Sequence, residues 1–268
     1  MVDHRKILFI LAHPDDESLG AGGMIAHYAA QGVEIHLATA TRGEYGWQKA
    51  DEPNPGPDAL GQIREGELQA AVDVLGIQGL YFLDYIDGYL DRADSQEIIP
   101  KLVDLIRRIR PQIVITFAPD GAYGHPDHVA ISQFTTTAVL CATDSGYPAE
   151  NNLQPHRIDK LYFLVWPSIK LAAFEAAFGS LDFPVDDVVR KSVPWEDWAI
   201  TTIIDTSSYA EQAWQAITCH RSQLPLYDQL KDLSAEHKDG LWGTQELYRA
   251  MSMVNGGRQR EHDIFEGC

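Results

Sequence analysis

The sequence lacks an apolar run long enough to cross a membrane. A membrane-spanning helix needs about 18 or more consecutive apolar residues, and no such run occurs in the 268 residues. The N-terminal run ILFILA is short, and His13 and acidic residues follow it. A signal peptide would have a longer apolar stretch and a small-residue cleavage site. We therefore expect no membrane span and no secretion signal.

The chain is also poor in cysteine and in basic residues. Its three cysteines, Cys141, Cys219 and Cys268, form no C-x-x-C pair, and an odd number does not indicate a disulfide framework. We therefore expect a reducing, cytoplasmic environment. Lys and Arg number 21 against 39 Asp and Glu, which gives a net charge of -18. Such a charge repels phosphate backbones and anionic membrane surfaces, so we expect no nucleic-acid partner.

Several nucleotide-binding and nucleophile motifs are missing. Gly20, Gly22 and Gly23 do not complete G-x-G-x-x-G, because position 25 is Ile. The acidic residues before these glycines would also repel a pyrophosphate. Neither G-x-S-x-G nor G-K-[ST] occurs. We expect the glycines to let a helix pack closely on the sheet beneath it.

What is present is an alternation of short apolar β-rich runs with helical patterns. Strands are predicted at 6–12, 33–40, 80–84 and 112–118, and helices at 19–31, 59–75, from Asp94 to before Pro111, and at 126–143. This alternation is typical of an α/β fold with a parallel sheet. After a loop at 144–157, we predict a strand at 160–166, a helix at 168–178, a strand at 198–204 and a helix at 207–223. We expect residues 167–268 to form a C-terminal extension packed on the core.

Polar clusters directly follow the predicted strands, where open parallel sheets bind ligands. HPDDE follows the first strand and HPDH follows the fourth. His13, Asp16 and His128 would supply two imidazoles and a carboxylate, a set that suits Zn²⁺ or Fe²⁺. Asp15 would then be free to accept a proton from water. Each segment alone could be a proline turn with capping aspartates, but two such segments in one sheet favour a shared metal site.

Three further residues are candidates for binding or catalysis. Glu44, in TRGEYG after the second strand, could line a cleft wall or lie in an exposed turn. Tyr123 and His125 could donate hydrogen bonds to an oxygen that gains negative charge, and His125 could protonate a leaving nitrogen. Ordinary packing or a solvent-facing imidazole are the alternatives for these two residues.

These segments carry a family resemblance. With AHPDDESLGAGG, TRGEYG, IREGELQAAVDVLG, DYIDG, GHPDH and CHRSQ, the sequence resembles the LmbE-like, or PIG-L, family of zinc-dependent N-acetylglucosaminyl deacetylases. The resemblance covers most of residues 1–166 and is thinner afterwards. It implies a Rossmann-like α/β fold in which residues 1–268 form a single domain, with a motif-bearing core at 1–166 and the extension at 167–268.

The resemblance also implies roles for individual residues. The implied zinc ligands are His13, Asp16 and His128. Asp15 is similar to the general base of the family, His125 to its electrostatic stabiliser or general acid, and Tyr123 to its carbonyl-polarising tyrosine. Arg64 and Asp87 match positions associated with holding the sugar or its aglycone.

The activity that the resemblance implies is removal of an N-acetyl group from a small molecule containing N-acetylglucosamine. The strongest likeness is to the glucosaminyl-inositol deacetylases of small-thiol biosynthesis. An amidase of a sugar-thiol conjugate is the alternative within the family. A non-heme Fe²⁺ oxygenase, usually an all-β protein, and a metal-dependent sugar-binding module without catalysis are alternatives from other classes. Zn²⁺ is the expected metal, with Fe²⁺ or another divalent ion as the alternative. The sequence predicts no oligomeric state.

Overall fold

A computed structural model describes residues 5–49, 51–148, 153–181, 183–185, 188–257 and 259–268. Its first half contains β1 (Lys6–Leu11), α1 (Asp16–Ala30), β2 (Glu34–Thr39), α2 (Pro57–Leu75), β3 (Gly79–Phe82), α3 (Ser95–Ile109), β4 (Ile113–Phe117), the short α4 (Gly121–Gly124) and α5 (Pro126–Thr143). The second half contains β5 (Lys160–Leu164), α6 (Ser168–Phe178), β6 (Phe183–Val185), β7 (Val188–Arg190), β8 (Thr202–Asp205), α7 (Ala210–Ile217), α8 (Leu224–Tyr227), α9 (Ala235–Trp242) and β9 (Thr244–Ser252).

Seven strands form the central sheet in the order β3-β2-β1-β4-β5-β9-β8. The first five are parallel, whereas β9 runs antiparallel to β5 and β8 antiparallel to β9. Helices α1, α2 and α7 pack together, and α3 packs on α5, in the two layers that such a sheet carries on its faces. The predicted mostly parallel α/β fold is confirmed.

Local sequence signals explain where several helices begin and end. Pro126 occupies the first turn of α5, as predicted, where its missing N–H needs no partner. The Asp94 carboxylate caps α3 by accepting the N–H of Gln96 at 2.8 Å. Gly76, at φ 76°, ends α2 in the left-handed conformation that favours glycine.

The C-terminal part differs more from the sequence-based expectation. The helix predicted at 207–223 is shorter, because α7 ends at Ile217. Beyond it the chain turns inward, so that His220 contacts Glu17 and Ser222 contacts Glu67. The strand predicted at 198–204 is reduced to β8, and β9 and α9 were not predicted. Residues predicted as the end of this helix thus contact buried acidic side chains instead.

Two glycines of α1 face the C-terminal part rather than the sheet. A Cβ at Gly22 would lie 3.3 Å from the Cβ of Ala213 in α7, and a Cβ at Gly23 would lie 3.0 Å from the Cβ of Thr206. Only Gly20 fits the expected contact with the sheet, since a Cβ there would meet Leu164 of β5 at an ordinary 3.7 Å. These glycines therefore permit a close helix–helix approach.

A buried ion pair anchors the C-terminal tail to the sheet. Lys160 of β5 donates to Glu261 at 2.7 Å, and Tyr162 and Arg249 also bind this carboxylate. Of the two clusters of buried apolar residues that the described ranges contain, the larger includes residues from Ile7 to Phe265. Within the described residues, no helix combines the length and the apolar character that a membrane span requires.

Candidate metal and catalytic site

The two histidine-bearing segments meet where the sheet order reverses. His13 follows β1, His128 lies in the first turn of α5 after β4, and β1 and β4 are paired neighbours. Nδ1 of His13 lies 3.2 Å from Nε2 of His128. The His128 ring stacks on Phe117 with its centroid 3.9 Å away. The switch point of an open parallel sheet thus carries two facing imidazoles.

The Asp16 carboxylate completes a triangle with these rings. Oδ1 lies 3.4 Å from Nε2 of His128, and Oδ2 lies 3.7 Å from Nδ1 of His13. Oδ2 also accepts the N–H groups of Ala12 and His13, at 3.1 and 2.7 Å. Burial alone would raise the pKa of Asp16, but the His128 and His13 imidazoles outweigh it and lower that pKa. The Asp16 carboxylate is therefore ionised, and the two N–H groups fix its orientation.

This donor set fits a divalent cation. Ligand atoms about 2.0–2.1 Å from a tetrahedral zinc lie roughly 3.3 Å from one another. The two imidazole nitrogens are 3.2 Å apart, and the Asp16 carboxylate approaches them through different oxygens, Oδ1 at 3.4 Å from His128 and Oδ2 at 3.7 Å from His13. Two ring nitrogens that face each other beside a carboxylate need a proton or a cation between them. The structure therefore brings His13, Asp16 and His128 together, and their roles as metal ligands stay a prediction.

Two further carboxylates orient His13 from its other side. Nε2 of His13 lies 3.1 Å from Oδ1 of Asp87 and 3.1 Å from Oδ2 of Asp127. Asp127 in turn accepts the N–H groups of Gly88 and Leu90. Burial acts to raise the pKa of Asp87, but the hydrogen bond to His13 prevails and lowers it to about 2. Burial acts to lower the pKa of His13, but the carboxylates of Asp127, Asp87 and Asp16 prevail and raise it well above its ordinary value. Asp87 and Asp127 hold a proton on Nε2, which leaves Nδ1 as the nitrogen that faces the triangle.

Asp15 lies beside the triangle in an unusual backbone conformation. Its φ is 111°, which non-glycine residues rarely adopt. Its Oδ2 accepts hydrogen bonds from Nη2 of Arg64 at 2.8 Å and from the hydroxyl of Tyr227 at 2.6 Å. Burial raises the pKa of Asp15, although the Arg64 guanidinium acts in the opposite direction.

The predicted sugar contacts Arg64 and Glu44 both support loops in this structure. Arg64 is buried, and its Nη1 donates to the carbonyl of Gly43 at 2.8 Å. The Glu44 carboxylate accepts the N–H groups of Asp87 and Arg42, at 3.1 and 3.2 Å. Arg64 and Asp87 line the cavity at the site, whereas Glu44 is not among its lining residues.

His125 and Tyr123 lie on the other side of the triangle. Nδ1 of His125 accepts the N–H of Asp127 at 3.2 Å. Burial and the imidazoles of His13 and His128 lower the pKa of His125 to about 3. Suitable nitrogens of these three histidines all lie within 4.8 Å of one another, which makes His125 an alternative ligand. Burial raises the pKa of Tyr123, so its hydroxyl keeps its proton.

A cavity of about 440 Å³ opens above these groups. Its lining includes ionisable residues described above. The rest of the lining is mainly apolar, and we call this part the apolar wall: Leu164, Trp166, Phe174, Phe178, Leu181 and Leu226. Tyr123 contacts the apolar wall, because its ring stacks on Trp166 with centroids 6.1 Å apart.

Comparison with known proteins agrees with this geometry. The family described as "PIG-L: GlcNAc-PI de-N-acetylase" matches residues 8–139. The 1D-myo-inositol 2-acetamido-2-deoxy-alpha-D-glucopyranoside deacetylase of Kineococcus radiotolerans is 33% identical over 303 aligned residues, which cover 98% of this chain and 83% of the relative. The chain belongs to the PIG-L family. The resemblance inferred from its motifs is confirmed.

Solved structures with the same fold include a deacetylase and a hydratase. The N,N'-diacetylchitobiose deacetylase of Pyrococcus horikoshii has a TM-score of 0.68 and 21% identity, over 91% of this chain and 83% of that one. GalB, the 4-carboxy-2-hydroxymuconate hydratase of Pseudomonas putida KT2440, has a TM-score of 0.69 and 21% identity, over 94% of this chain and 99% of that one. These likenesses establish the fold alone.

Four residues of this PIG-L family chain reach the site without having been predicted to do so: Glu17, Asp127, His220 and Tyr227. Asp127 lies inside the HPDH segment, and Glu17 directly follows HPDD. Their positions in or beside the motifs could therefore have identified them as site residues. His220 belongs to CHRSQ, which contributed to the resemblance without an assigned role. No sequence pattern distinguished Tyr227.

Proposed function

We propose that this PIG-L family chain is a metal-dependent N-deacetylase of a small molecule that contains N-acetylglucosamine. The observation that carries the proposal is the triangle of His13, Asp16 and His128 with the Asp15 carboxylate beside it. Metal-assisted amide hydrolysis requires a metal site and a proton acceptor next to it.

Zinc is the proposed metal, with His13, Asp16 and His128 as its ligands. Three protein ligands leave coordination positions open, as catalytic zinc sites require. A bound metal would lower the pKa of water and polarise the acetyl carbonyl. Fe²⁺ or another divalent ion also accepts imidazole and carboxylate ligands, so metal analysis belongs to the test.

Asp15 is proposed to accept the proton of the attacking water and to return it to the nitrogen as the C–N bond breaks. The products are then acetate and the free amine. Because Nδ1 of His125 accepts the N–H of Asp127, the proton of the neutral His125 ring resides on Nε2. If both ring nitrogens of His125 carried protons, its Nδ1–H would face the N–H of Asp127 with no acceptor between them. His125 and Tyr123 are therefore proposed to donate hydrogen bonds to the oxygen that gains charge.

The proposed substrate is an N-acetylglucosamine joined to inositol, as the name of the Kineococcus relative states for that protein. Arg64 and Asp87, which line the cavity, are the proposed sugar contacts, whereas Glu44 does not line it and supports the neighbouring loop. An amide of a sugar-thiol conjugate is the second candidate. The apolar wall that includes Trp166 and Phe178 favours it, because this surface suits an apolar substituent that a free cyclitol lacks.

The other classes are less well supported. The mostly parallel sheet differs from the all-β scaffold usual for a non-heme iron oxygenase. We further propose that residues 1–268 act as a single domain, since the buried apolar cluster includes both parts of the chain. The unpaired Cys141, Cys219 and Cys268 support a reducing, cytoplasmic location.

A substrate panel tests the proposal. Metal-reconstituted protein is incubated with N-acetylglucosaminyl inositol, free N-acetylglucosamine and a sugar-thiol amide, and amine release is measured together with bound metal. Asp15→Asn should lose about 10²- to 10⁴-fold in kcat, the usual contribution of a general base. Asp73→Asn, on the exposed face of α2, is the matched control. Binding without turnover of any substrate would favour the sugar-binding module, and equal rates for both variants would remove Asp15 as the base.

A further inference from the structure

The C-terminal part of the chain reaches the proposed general base directly. Tyr227 ends α8 and is 5% exposed, and its hydroxyl donates to Oδ2 of Asp15 at 2.6 Å. The same oxygen accepts Nη2 of Arg64 at 2.8 Å. One carboxylate oxygen therefore holds two donors that come from distant segments of the sequence.

This arrangement makes the two oxygens of Asp15 unequal. Within the described part of the chain, both hydrogen bonds to this carboxylate end on Oδ2 and none ends on Oδ1. Asp15 also lines the cavity. A proton acceptor needs a lone pair within hydrogen-bond reach of the water that it deprotonates. Oδ1 is the oxygen that keeps such a lone pair.

The residues around Tyr227 hold its ring in a fixed position, so that its hydroxyl can orient the Asp15 carboxylate. Its ring packs in a buried apolar cluster with Phe174, Ile217 and Leu230. Burial raises the pKa of Tyr227 well above its ordinary value, so the hydroxyl keeps its proton and remains a donor. The ring can therefore act as a rigid support for Oδ2.

The same C-terminal segment also supports the backbone of Asp15. The N–H of Asp15 donates to Oε2 of Glu17 at 3.0 Å, and Oε1 of Glu17 is held by Nε2 of His220 at 2.8 Å. The strained φ of 111° at Asp15 needs such external support, because strained conformations persist only where the surroundings enforce them. Tyr227 thus fixes the side chain of Asp15, and His220 supports its main chain through Glu17.

We propose that Tyr227 is a positioning residue, which, together with Arg64, occupies Oδ2 of Asp15 and leaves Oδ1 as the only oxygen that accepts the proton. This inference rests on the proposed function, in which Asp15 is the general base. It assigns the C-terminal extension a direct part in orienting the catalytic group.

Tyr227→Phe tests the proposal by removing a single oxygen atom. We expect kcat to fall about 10- to 100-fold, the scale of loss when a reacting group is misplaced by about 1 Å. KM should change less than twofold and bound metal should match wild type, whereas Tm should fall because a buried hydrogen bond is lost. The control is Tyr209→Phe, a partly buried tyrosine outside the cavity lining, which should keep its kcat. An unchanged kcat in Tyr227→Phe, a loss confined to KM, or a parallel loss of metal would overturn the proposal.

A double-mutant cycle separates positioning from general stability. If Tyr227 acts through Asp15, the double variant Asp15→Asn with Tyr227→Phe should be as slow as Asp15→Asn alone, because residues that act as a unit are not additive. Multiplied losses would refute the proposal. Full activity of Asp15→Asn would instead refute the proposed general base, so the two failures can be told apart.

Discussion

Nδ1 of His13 and Nε2 of His128 lie 3.2 Å apart, although 115 residues separate them in the sequence. The contact exists because β1 and β4 are neighbours at the point where the strand order reverses. Each imidazole is fixed by other groups, since two carboxylates bind Nε2 of His13 and Phe117 stacks on His128. The two nitrogens are therefore held at a spacing that would allow both to bind one cation.

Asp127→Asn should weaken metal binding without removing a ligand. The amide that replaces the carboxylate cannot accept the His13 proton with the same charge, so His13 becomes a poorer ligand. Loss of such a supporting carboxylate typically costs about 10- to 100-fold in metal affinity. Competition with a chromogenic chelator measures the affinity. Asp94→Asn serves as the control, because asparagine caps a helix as well as aspartate. Equal affinity in the two variants would argue against an orienting role for Asp127.

His220→Ala should destabilise the fold strongly. The His220 imidazole and the Glu17 carboxylate form a fully buried pair at 2.8 Å, and Glu17 raises the pKa of His220 although burial lowers it. Removal of one member leaves a buried charge without its partner, which costs about 3–5 kcal/mol. Urea unfolding measures this loss. The exposed His262→Ala should stay within about 0.5 kcal/mol of wild type. A similar small change for His220→Ala would contradict a charged buried pair.

Two glycine substitutions in α1 should have opposite effects. Gly23→Ala would place a Cβ 3.0 Å from Thr206, and overpacking of this kind costs about 1–3 kcal/mol. Gly20→Ala meets only an ordinary contact at 3.7 Å. It should be neutral or stabilise the protein by up to about 1 kcal/mol through helix propensity. Thermal melting of both variants checks the difference, and equal Tm values would show that the approach of α1 to Thr206 is not tight.

The Lys160–Glu261 pair should make the protein sensitive to acid. Burial acts to raise the pKa of Glu261, but hydrogen bonds from Lys160 and Tyr162 lower it from 4.5 to about 2. Because the folded pKa lies below the unfolded one, the stabilisation is complete above about pH 4.5 and is lost as the pH falls towards 2. Its size is roughly 3 kcal/mol. Denaturant unfolding from pH 2 to 6 measures it.

Glu261→Gln is the matched variant for this acid sensitivity. It should unfold more easily at pH 7, because the Lys160 ammonium loses its buried counter-charge. Its stability should also depend less on pH between about 2 and 4.5. A wild-type pH slope in Glu261→Gln would assign the acid sensitivity to other carboxylates.

The parallel sheet and the positions of the two histidine-bearing segments follow from the sequence alone. Both are encoded locally: continuous apolar runs such as KILFIL form strands buried on both faces, and the polar residues that follow them must lie at the carboxyl edge. HPDD and HPDH therefore pointed to one site, and Pro126 and Gly76 marked the ends of helices at the correct residues.

The surroundings of Asp15 depend instead on long-range folding. Tyr227 lies 212 positions away from it in the sequence and His220 203 positions away from Glu17, and a buried tyrosine or histidine has the same local pattern whether it supports a catalytic carboxylate or fills a core. Residues after Ile217, predicted as a continuation of α7, likewise contact the distant Glu17 and Glu67 instead. Local periodicity determines where helices and strands form. The partner of a buried polar group depends instead on which distant segments the fold brings together.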